Sequence, residues 1–379
     1  MRILSIITSF TTGGAEALVA SLSTRFVVEG HEPTVVALCD AAALGNPLAS
    51  EAAMKQRLAG AGVATGSLRL ANRRNPVAGV LTMRRAIAAA RPDVIHAHTA
   101  QAALILALLR PAAPVVMTHH NSRLSFPPTL FRILDTIVRG YVGISAECTA
   151  TVERLSRRPV STIINAADAA FEAPAPRAAP AADPVVISVG APSRQKNYRT
   201  LIRAAPMLGR LMERAGRTYQ IHIVGEGEPL PMLRRLAREE GVADRIQLLG
   251  ARDDVPQLLR AADLYVNCSL WEGLPVAIIE ALMTGLPVVA TNVAGNRELV
   301  RPELNGVLVA PGDPEALADA IAGILLDPVR YAGLSACAWE TSRRYSIAGA
   351  ARAHLDLYAR VRAGRAAASR TPEAIGRSA

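Results

Sequence analysis

The sequence predicts two doubly wound α/β domains that face one another across a cleft. The chain has 379 residues, more than twice the roughly 100–150 residues of a typical domain. Short β-rich runs alternate with Ala/Leu-rich amphipathic segments, a rhythm that is typical of parallel βα units. The rhythm stops at a Pro/Ala-rich stretch and then starts again. We therefore expect a first domain over residues 1–172, a linker over 173–184 and a second domain over 185–340.

Each domain contains a series of apolar runs that predict buried strands. In the first domain they are Arg2–Ile7, Thr34–Leu38, Val94–Ile95, Val115–Met117, Tyr141–Ile144 and Ser161–Ile164. In the second they are Val185–Val189, Gln220–Val224, Ile246–Leu248, Leu264–Asn267 and Val288–Ala290. Such sheets bind ligands at the carboxyl ends of their strands. A long final helix is predicted over residues 341–362, and the polar tail over 363–379 is predicted to be disordered.

The composition is that of a globular protein, because half of the residues are apolar and 20% are charged. The most apolar stretch, Ala100–Leu109, is half as long as the roughly 20 residues that cross a bilayer. The N-terminus offers only a short apolar run, so we expect neither a transmembrane helix nor a secretory signal. Four widely spaced cysteines lack metal-ligand spacing and indicate reduced thiols. A cytoplasmic protein is expected.

The net charge of +10 raises nucleic acid or an anionic membrane as a partner. No basic run marks a nucleic-acid tail, and only 4% of the residues are aromatic, so few side chains could stack on bases. Nucleic acid is therefore not expected as a partner. Lysine occurs only at Lys55 and Lys196, against 40 arginines.

Gly13 and Gly14 lie between the first predicted strand and a helix that is predicted to begin near Ala15. Adjacent glycines allow backbone N–H groups to approach an anion at the N-terminus of a helix. The spacing is neither that of a G-x-G-x-x-G motif nor that of a P-loop. An anion site and a bare turn both remain open for this loop.

A second loop with anion-binding character follows the strand that ends at Gly190. Arg194 and Lys196 precede a helix that is predicted to begin near Tyr198, so a diphosphate would meet both cations and the helix dipole there. Lysine at this position, in a chain that otherwise uses arginine, indicates a need for a compact ammonium group. A solvated loop charge is the alternative.

A third loop, VGEGE, follows the strand Gln220–Val224 and contains Gly225, Glu226, Gly227 and Glu228. Its glycines would let a flat ligand approach the backbone closely. A simple turn explains them nearly as well.

The segment SLWEGLPVAIIEALMTGLPVVAT places Glu272 in a loop and Glu280 in the helix that follows. Pro275 suits the first turn of that helix. Carboxylates accept hydrogen bonds from vicinal hydroxyls, and the N–H groups at the helix start can hold an anion between them. A ligand with a sugar at one end, phosphate in the middle and ribose at the other end matches this arrangement.

Together these segments resemble the retaining GT-B glycosyltransferases of glycosyltransferase family 4, which transfer sugars from nucleotide-sugar donors. The resemblance covers nearly the whole chain, from TTGGAE through VGAPSRQKN, VGEGE and the Glu272/Glu280 pair to AGNRELV and NGVLVAPGDPEALADAI. It implies the GT-B fold, with two Rossmann-like domains facing a central cleft and the C-terminal helix returning to the N-terminal domain.

The resemblance also implies functional roles. Glu272 would hold the transferred sugar, Lys196 would bind the diphosphate, and His120 in VVMTHHN would face the donor sugar. His119 is the alternative to His120, and packing would explain either. The further residues implied or predicted to bind substrate are Gly13, Gly14, Arg194, Gly225, Glu226, Gly273, Leu274 and Glu280, of which Glu280 would bind the ribose.

Two positions depart from the family pattern. Ala191 stands where family members often carry Arg, and Arg194 could supply that charge from a neighbouring position. Ala166 stands where the family usually has Gly.

No metal or other cofactor is expected. The sequence has no D-x-D motif, and His96 and His98 lie two residues apart at a strand end without an acidic companion, which favours a structural role.

The expected function is transfer of a hexose from a UDP- or GDP-sugar to an acceptor hydroxyl with retention at the anomeric carbon. A saccharide or a lipid-linked molecule is the expected acceptor, entering mainly from the N-terminal domain. A sugar-nucleotide epimerase of the same architecture and a non-catalytic nucleotide-sugar-binding protein are the alternatives.

Basic segments of the N-terminal domain are consistent with peripheral contact with the inner face of an anionic membrane. They are Arg69–Arg74 and the pair Arg84–Arg85, and each cation near such a surface contributes about 1 kcal/mol. A solvated face is the alternative, because no Trp- or Phe-bearing amphipathic helix accompanies them.

Overall fold

The computed structural model describes residues 1–11, 13–44, 48–71, 78–120, 124, 126–227 and 229–368. Two parallel sheets organise the chain. The first has seven strands in the order β3-β2-β1-β4-β5-β6-β7, and the second has six in the order β10-β9-β8-β11-β12-β13. Helices cover both faces of each sheet, so both sheets are doubly wound and the predicted α/β architecture is confirmed.

The elements of the first sheet and its helices alternate along the chain. They are β1 (Arg2–Ile7), α1 (Gly14–Val28), β2 (Glu32–Ala37), α2 (Leu48–Gly60), β3 (Ala64–Ser67), α3 (Ala78–Ala90), β4 (Val94–Ala97), α4 (Ala100–Leu109), β5 (Val115–His119), α5 (Phe131–Leu134), β6 (Val138–Gly143), α6 (Ala146–Leu155) and β7 (Val160–Thr162).

The second half repeats the alternation and ends in three helices. Its elements are β8 (Val185–Val189), α7 (Tyr198–Arg214), β9 (Gln220–Val224), α8 (Leu230–Glu239), β10 (Ile246–Gly250), α9 (Val255–Ala261), β11 (Leu264–Asn267), α10 (Val276–Met283), β12 (Val288–Thr291), α11 (Ala294–Leu299), β13 (Gly306–Val309), α12 (Pro314–Leu325), α13 (Pro328–Ser342) and α14 (Ile347–Ala368).

Central strands carry the strongest apolar signal because both of their faces are buried. The first-domain strand β5 is buried at all five positions, and β11 and β12 at all four. Strands β3 and β13 were not among the predicted strands, and each lies at one edge of its sheet. None of the four residues of β3 is buried, and its sequence ATGS lacks an apolar run.

The C-terminal helix returns to the first domain, as expected. Helix α14 packs on α1 and β6, and the buried Tyr358 ring meets Phe26 edge to face with ring centroids 6.0 Å apart. The helix runs over Ile347–Ala368 and not over 341–362. Residues 341–342 end α13, and 363–368, predicted to belong to a disordered tail, extend α14. The rest of that tail, 369–379, lies outside the described residues.

The segment predicted as a linker lies against the second domain. Ala173 donates its backbone N–H to Met283, and the Arg177 side chain donates to the carbonyl oxygens of Leu259, Arg260 and Thr284. Arg177 therefore holds the extended segment in place through backbone acceptors.

Within the described ranges, no single helix is both long and apolar enough to cross a membrane. Only a sharply bent pair, Pro314–Leu325 with Pro328–Tyr345, meets the length and composition of a span.

Candidate active site

The topology of the second sheet brings two predicted site residues together. Strand β8 lies between β9 and β11, so the chain leaves β8 toward one side of the sheet and β11 toward the other. A crevice forms at the carboxyl ends of strands where the winding reverses in this way. Lys196 follows β8 and Glu272 follows β11, and the Lys196 Nζ lies 2.7 Å from the Glu272 Oε1.

The Glu272 carboxylate is buried and fully engaged. Only 6% of the residue is exposed. Besides Lys196, the Ser269 hydroxyl donates to Oε1 at 2.7 Å and the Gln195 amide donates to Oε2 at 3.1 Å. These charge-assisted bonds offset the desolvation of the carboxylate. Gln195 and Ser269 were not predicted, and their only sequence signal was proximity to Lys196 and Glu272.

Close backbone packing supports the loop around Gly273. A Cβ built on Gly295, in α11, would lie 2.4 Å from the Gly273 carbonyl oxygen, so only glycine fits there. The buried Asn296 side chain donates to Asn267 Oδ1 and to the Thr291 carbonyl. Helix α11 thereby fixes the loop that carries Glu272, a role that the predicted motif AGNRELV did not reveal.

Three helices begin around the Lys196–Glu272 pair. Helix α7 begins two residues after Lys196, and α10 begins at Val276, just beyond the Gly273–Leu274 turn. Helix α1 of the first domain begins at Gly14, and a Cβ placed there would lie 3.7 Å from the Val276 Cβ. Because helix N-termini carry partial positive charge and free N–H groups, this part of the cleft favours an anion.

Glu280 lies on α10 and is half-buried. Burial raises the pKa of its carboxyl to about 7, while Arg57 and Lys196 lower it and Asp168 raises it further. Arg57 comes from α2 of the first domain and donates to Asp168 at 3.1 Å. No described residue donates a hydrogen bond to Glu280, so its oxygens are available to a ligand.

Of the predicted site glycines, Gly225 has a structural explanation. Gly225 has a φ of +143°, and a Cβ there would lie 2.2 Å from the Gly190 carbonyl oxygen. The turns after β8 and β9 therefore touch through backbone, which Gly225 permits. A Cβ at Gly13 would meet only the end of the flexible Glu16 side chain, which can move away, so packing does not require glycine at this position.

Arg194 and Glu226, the charged residues of the loops after β8 and β9, do not take part in the Lys196–Glu272 ion pair. Arg194 and Glu226 are exposed and have no ion pair with any residue the structure describes, and Ala191, beside them, is exposed too. Glu228 lies outside the described residues. The structure thus brings Lys196 and Glu272 together and leaves Arg194 apart from them.

The histidines of the first domain gather at the carboxyl ends of β4 and β5. His120 Nε2 lies 3.0 Å from His98 Nδ1, and burial lowers the pKa of His120 to about 3. His119 is buried, its pKa is lowered by burial, and its Nε2 has no hydrogen-bond partner among the described residues.

His96 is a structural residue, as its spacing indicated. Its Nδ1 lies 2.6 Å from the Tyr358 hydroxyl of α14, and its Nε2 lies 2.7 Å from the Thr118 hydroxyl. Both ring nitrogens are thus committed to the fold. Over the part of the chain that the structure describes, no group of three His, Cys, Asp or Glu side chains is arranged to hold a metal.

Asn165 connects the first domain to the loop of the second domain that carries Gly273 and Leu274. Its amide donates to the Leu274 carbonyl at 2.8 Å, and the residue is 4% exposed. Asn165 was not predicted from the sequence, in which only its buried neighbour Ala166 departed from the family pattern. A second link runs from Glu298 of α11, whose carboxylate accepts the backbone N–H groups of Ala146 and Glu147 at the start of α6.

Comparisons with known proteins agree with this architecture. The family model Glycosyltransferase Family 4 matches residues 12–171, and Glycosyl transferases group 1 matches residues 183–327. The structure of HepE from Anabaena, in complex with UDP and glucose, is similar with a TM-score of 0.78 at 20% identity, covering 94% of this chain and 99% of that one.

Two curated relatives are similar over segments. The UDP-Gal:alpha-D-GlcNAc-diphosphoundecaprenol alpha-1,3-galactosyltransferase of Escherichia coli is 42% identical over 71 residues, which are 19% of this chain and 18% of that protein. The lipopolysaccharide core biosynthesis glycosyltransferase LpsE of Rhizobium meliloti is 28% identical over 238 residues, 62% and 66% of the two chains. The aligned segments thus span less than two thirds of either relative.

Two doubly wound domains, with the C-terminal helix returned to the first, define the fold of a GT-B glycosyltransferase. The two family models, one for each half, then identify the chain more closely. It belongs to the glycosyltransferases of family 4.

The raised pKa of Glu280 predicts a pH-dependent effect of Glu280→Gln on stability. The pKa of about 7 lies above the unfolded value of 4.5, so ionisation opposes folding increasingly as the pH rises from 4.5 through 7. Gln stays neutral throughout. We expect Glu280→Gln to gain about 2–4 °C in melting temperature over the wild type at pH 8, the shift that about 1 kcal/mol produces, and much less at pH 5.

Differential scanning fluorimetry of the ligand-free protein measures this difference. Glu226→Gln, at an exposed carboxylate of the same domain, serves as the control and should show no such trend. An equal gain for Glu280→Gln at both pH values would contradict the prediction.

Proposed function

We propose that this protein transfers a hexose from a UDP- or GDP-sugar to an acceptor hydroxyl with retention at the anomeric carbon. The observation that carries the proposal is the ion pair between the half-buried Lys196 and the buried Glu272, which lies where the helices α1, α7 and α10 begin. This arrangement offers a cation and free N–H groups to a diphosphate, and carboxylates to hydroxyl groups on either side of it.

The donor would lie across the cleft, with its ribose at Glu280 and its transferred sugar at Glu272. Glu280 accepts hydrogen bonds from the ribose hydroxyls, and Glu272 with the Gly273–Leu274 backbone holds the transferred sugar. The Lys196 ammonium, at 2.7 Å from Glu272, turns toward the diphosphate when the donor binds. Lys196 then contacts both the diphosphate and the Glu272 carboxylate, instead of Glu272 alone.

In the reaction the bond between the anomeric carbon and the diphosphate oxygen breaks, and a bond from the acceptor oxygen forms on the same face of the sugar. The acceptor proton passes to the departing phosphate. Negative charge grows on the diphosphate, and Lys196 and the helix N-termini stabilise it in a site that excludes much of the water. Since protein cations and amides face the phosphates, we propose that catalysis does not depend on a divalent metal.

The acceptor is proposed to be a saccharide or a lipid-linked saccharide. The Escherichia coli relative is named for a diphosphoundecaprenol acceptor, and LpsE for the lipopolysaccharide core. Such acceptors lie at a membrane surface, so peripheral contact of the first domain with anionic lipid forms part of the proposal.

The surface formed by α3, α4 and α5 suits contact with anionic lipid. Leu81, Leu108 and Ile133 are 58%, 55% and 51% exposed, one on each of these three packed helices. Exposed arginines accompany them, namely Arg84, Arg85, Arg110 and Arg132. Arg69 is exposed, while Arg73 and Arg74 lie outside the described residues. Cations near an anionic surface, with apolar side chains between them, favour binding to it.

Loss of Lys196 or of the Glu280 charge is expected to weaken donor binding. Charge-assisted hydrogen bonds contribute about 1.5–3 kcal/mol, so Lys196→Ala and Glu280→Gln should each raise the Kd by about tenfold to a hundredfold. Isothermal titration calorimetry measures this with whichever UDP- or GDP-hexose gives the largest thermal shift in a screen. Lys55→Ala removes the other lysine of the chain and should leave Kd unchanged. Wild-type affinity in both site variants would refute the site.

Transfer is distinguished from the alternatives by the release of nucleotide. We expect free UDP or GDP to accumulate only when an acceptor is added, and to the same extent in EDTA, because Lys196 and backbone amides neutralise the diphosphate. Coupled detection of the free nucleotide measures this. Isomerisation of the donor without release would favour an epimerase, and binding without either reaction would favour a binding protein. Loss of activity in EDTA that magnesium or manganese restores would overturn the metal-independent mechanism.

Co-sedimentation with vesicles tests the membrane contact. The protein should pellet with phosphatidylglycerol vesicles and not with phosphatidylcholine, and salt should weaken the binding by screening. The double variant Arg84→Glu/Arg85→Glu should reduce the pelleted fraction several-fold. Arg234→Glu/Arg235→Glu, an exposed pair on α8 of the other domain, is the matched control. Equal recovery in the supernatant with both lipids at low salt would end the proposal.

A further inference from the structure

Four of the seven histidines of the chain form one cluster between the first sheet and the C-terminal helix. His96 and His98 follow one another at the end of β4, His120 follows β5, and His354 lies on α14. The His96 and His98 ring centroids are 4.0 Å apart, those of His98 and His120 are 5.3 Å apart, and those of His96 and His354 are 5.6 Å apart. Of these four, only His120 is given a role by the family resemblance, which implies that it faces the donor sugar.

The His96 ring is held in one orientation, and the other histidines pack against it. Its two nitrogens are held by Tyr358 and Thr118 at 2.6 and 2.7 Å, so the ring can neither turn nor exchange its partners freely. The His98 ring packs against the His96 ring, with an angle of 35° between the two ring planes. The orientation of His98 is therefore fixed by packing before any ligand enters.

His98 and His120 share one hydrogen bond, 3.0 Å between Nδ1 and Nε2. Burial lowers the pKa of both rings, and neighbouring histidines lower it further. Both rings are therefore neutral, and a neutral imidazole has one N–H and one acceptor nitrogen. If the His98 Nδ1 donates, His120 must carry its proton on Nδ1. If the His98 Nδ1 accepts, the His120 Nδ1 becomes an acceptor.

The cluster also borders the loop of the second domain. A small cavity with room for about one water molecule is lined by His98, His120, His354, Thr118 and Asn165, together with apolar side chains. The buried Asn165 Oδ1 has no partner among the described residues, while its amide bonds the Leu274 carbonyl. His120 is thus one side chain away from the loop that would hold the donor.

We propose that His98 is a positioning residue for His120: through the Nδ1–Nε2 hydrogen bond it holds the His120 ring and couples the tautomer that His120 presents to the donor sugar to its own tautomer. This inference rests on the proposed function only in assigning His120 to the donor. The hydrogen bond itself and its control of the tautomer belong to the ligand-free protein.

The experiment compares His98→Leu with His98→Asn. The Asn side-chain amide has a donor or acceptor near the position of the His Nδ1, whereas Leu fills the space without any polar atom. Nitrogen-15 NMR of histidine-labelled, ligand-free protein reports the protonation of each ring nitrogen. The wild type should show one neutral tautomer of His120, His98→Asn should preserve one, and His98→Leu should give a mixture. His222→Asn, on β9 of the other domain, controls for the loss of a histidine signal.

Kinetics provide the second measurement. We expect His98→Leu to lower kcat about tenfold with little change in the donor KM, as misorientation of an acting group does, and His98→Asn to recover most of it. An unchanged His120 tautomer in His98→Leu would overturn the proposal, as would identical kinetics of the Leu and Asn variants. Failure of the proposed function would appear instead as absence of transfer in the wild type, and the NMR result would still decide whether His98 controls the tautomer.

Discussion

A lysine and a glutamate from the loops that follow β8 and β11 form an ion pair around a buried carboxylate, and the surrounding loops of the second domain depend on this contact. A buried carboxylate without a partner would cost several kcal/mol, so Lys196, Ser269 and Gln195 must all reach Glu272. Their reach depends in turn on the glycine contact of α11 and on the adjacent ends of β8 and β11. The Glu272 charge can therefore be buried only when the loop that follows β11 is ordered.

The two domains present different electrostatic environments to the cleft, with charged groups in the second domain and neutral imidazoles in the first. The second domain has a fixed charge pair, two helix N-termini and a carboxyl group, Glu280, whose pKa lies near neutrality. The first domain has neutral, stacked imidazoles whose pKa values are lowered by burial. The charged wall suits the charged part of a nucleotide-sugar, and the neutral wall can donate to or accept from hydroxyl groups without competing for the phosphate.

The sequence was sufficient to predict two doubly wound domains, because their central strands are continuous apolar runs. Of the four edge strands, β7 and β10 were predicted, whereas β3 and β13 were not. Strand β3 is too polar to stand out. Lys196, Glu272 and Glu280 could be predicted from their loops and from the family resemblance. Gln195 and Asn165 could not, because their importance arises from hydrogen bonds to residues 77 and 109 positions away. Ser269 could not, because a serine within a loop is ordinary. Tertiary contacts of ordinary polar residues leave no local pattern.

The chain passes between the domains twice, once after β7 and once before α14, and the two passages run side by side. Ala167 donates its backbone N–H to the Tyr345 carbonyl at 3.2 Å, and Ala167 and Ser346 form a parallel bridge. Any rotation of one domain against the other must therefore bend both segments at the same place. The two crossings therefore form one double-stranded connection between the domains, and neither can change its path without displacing the other.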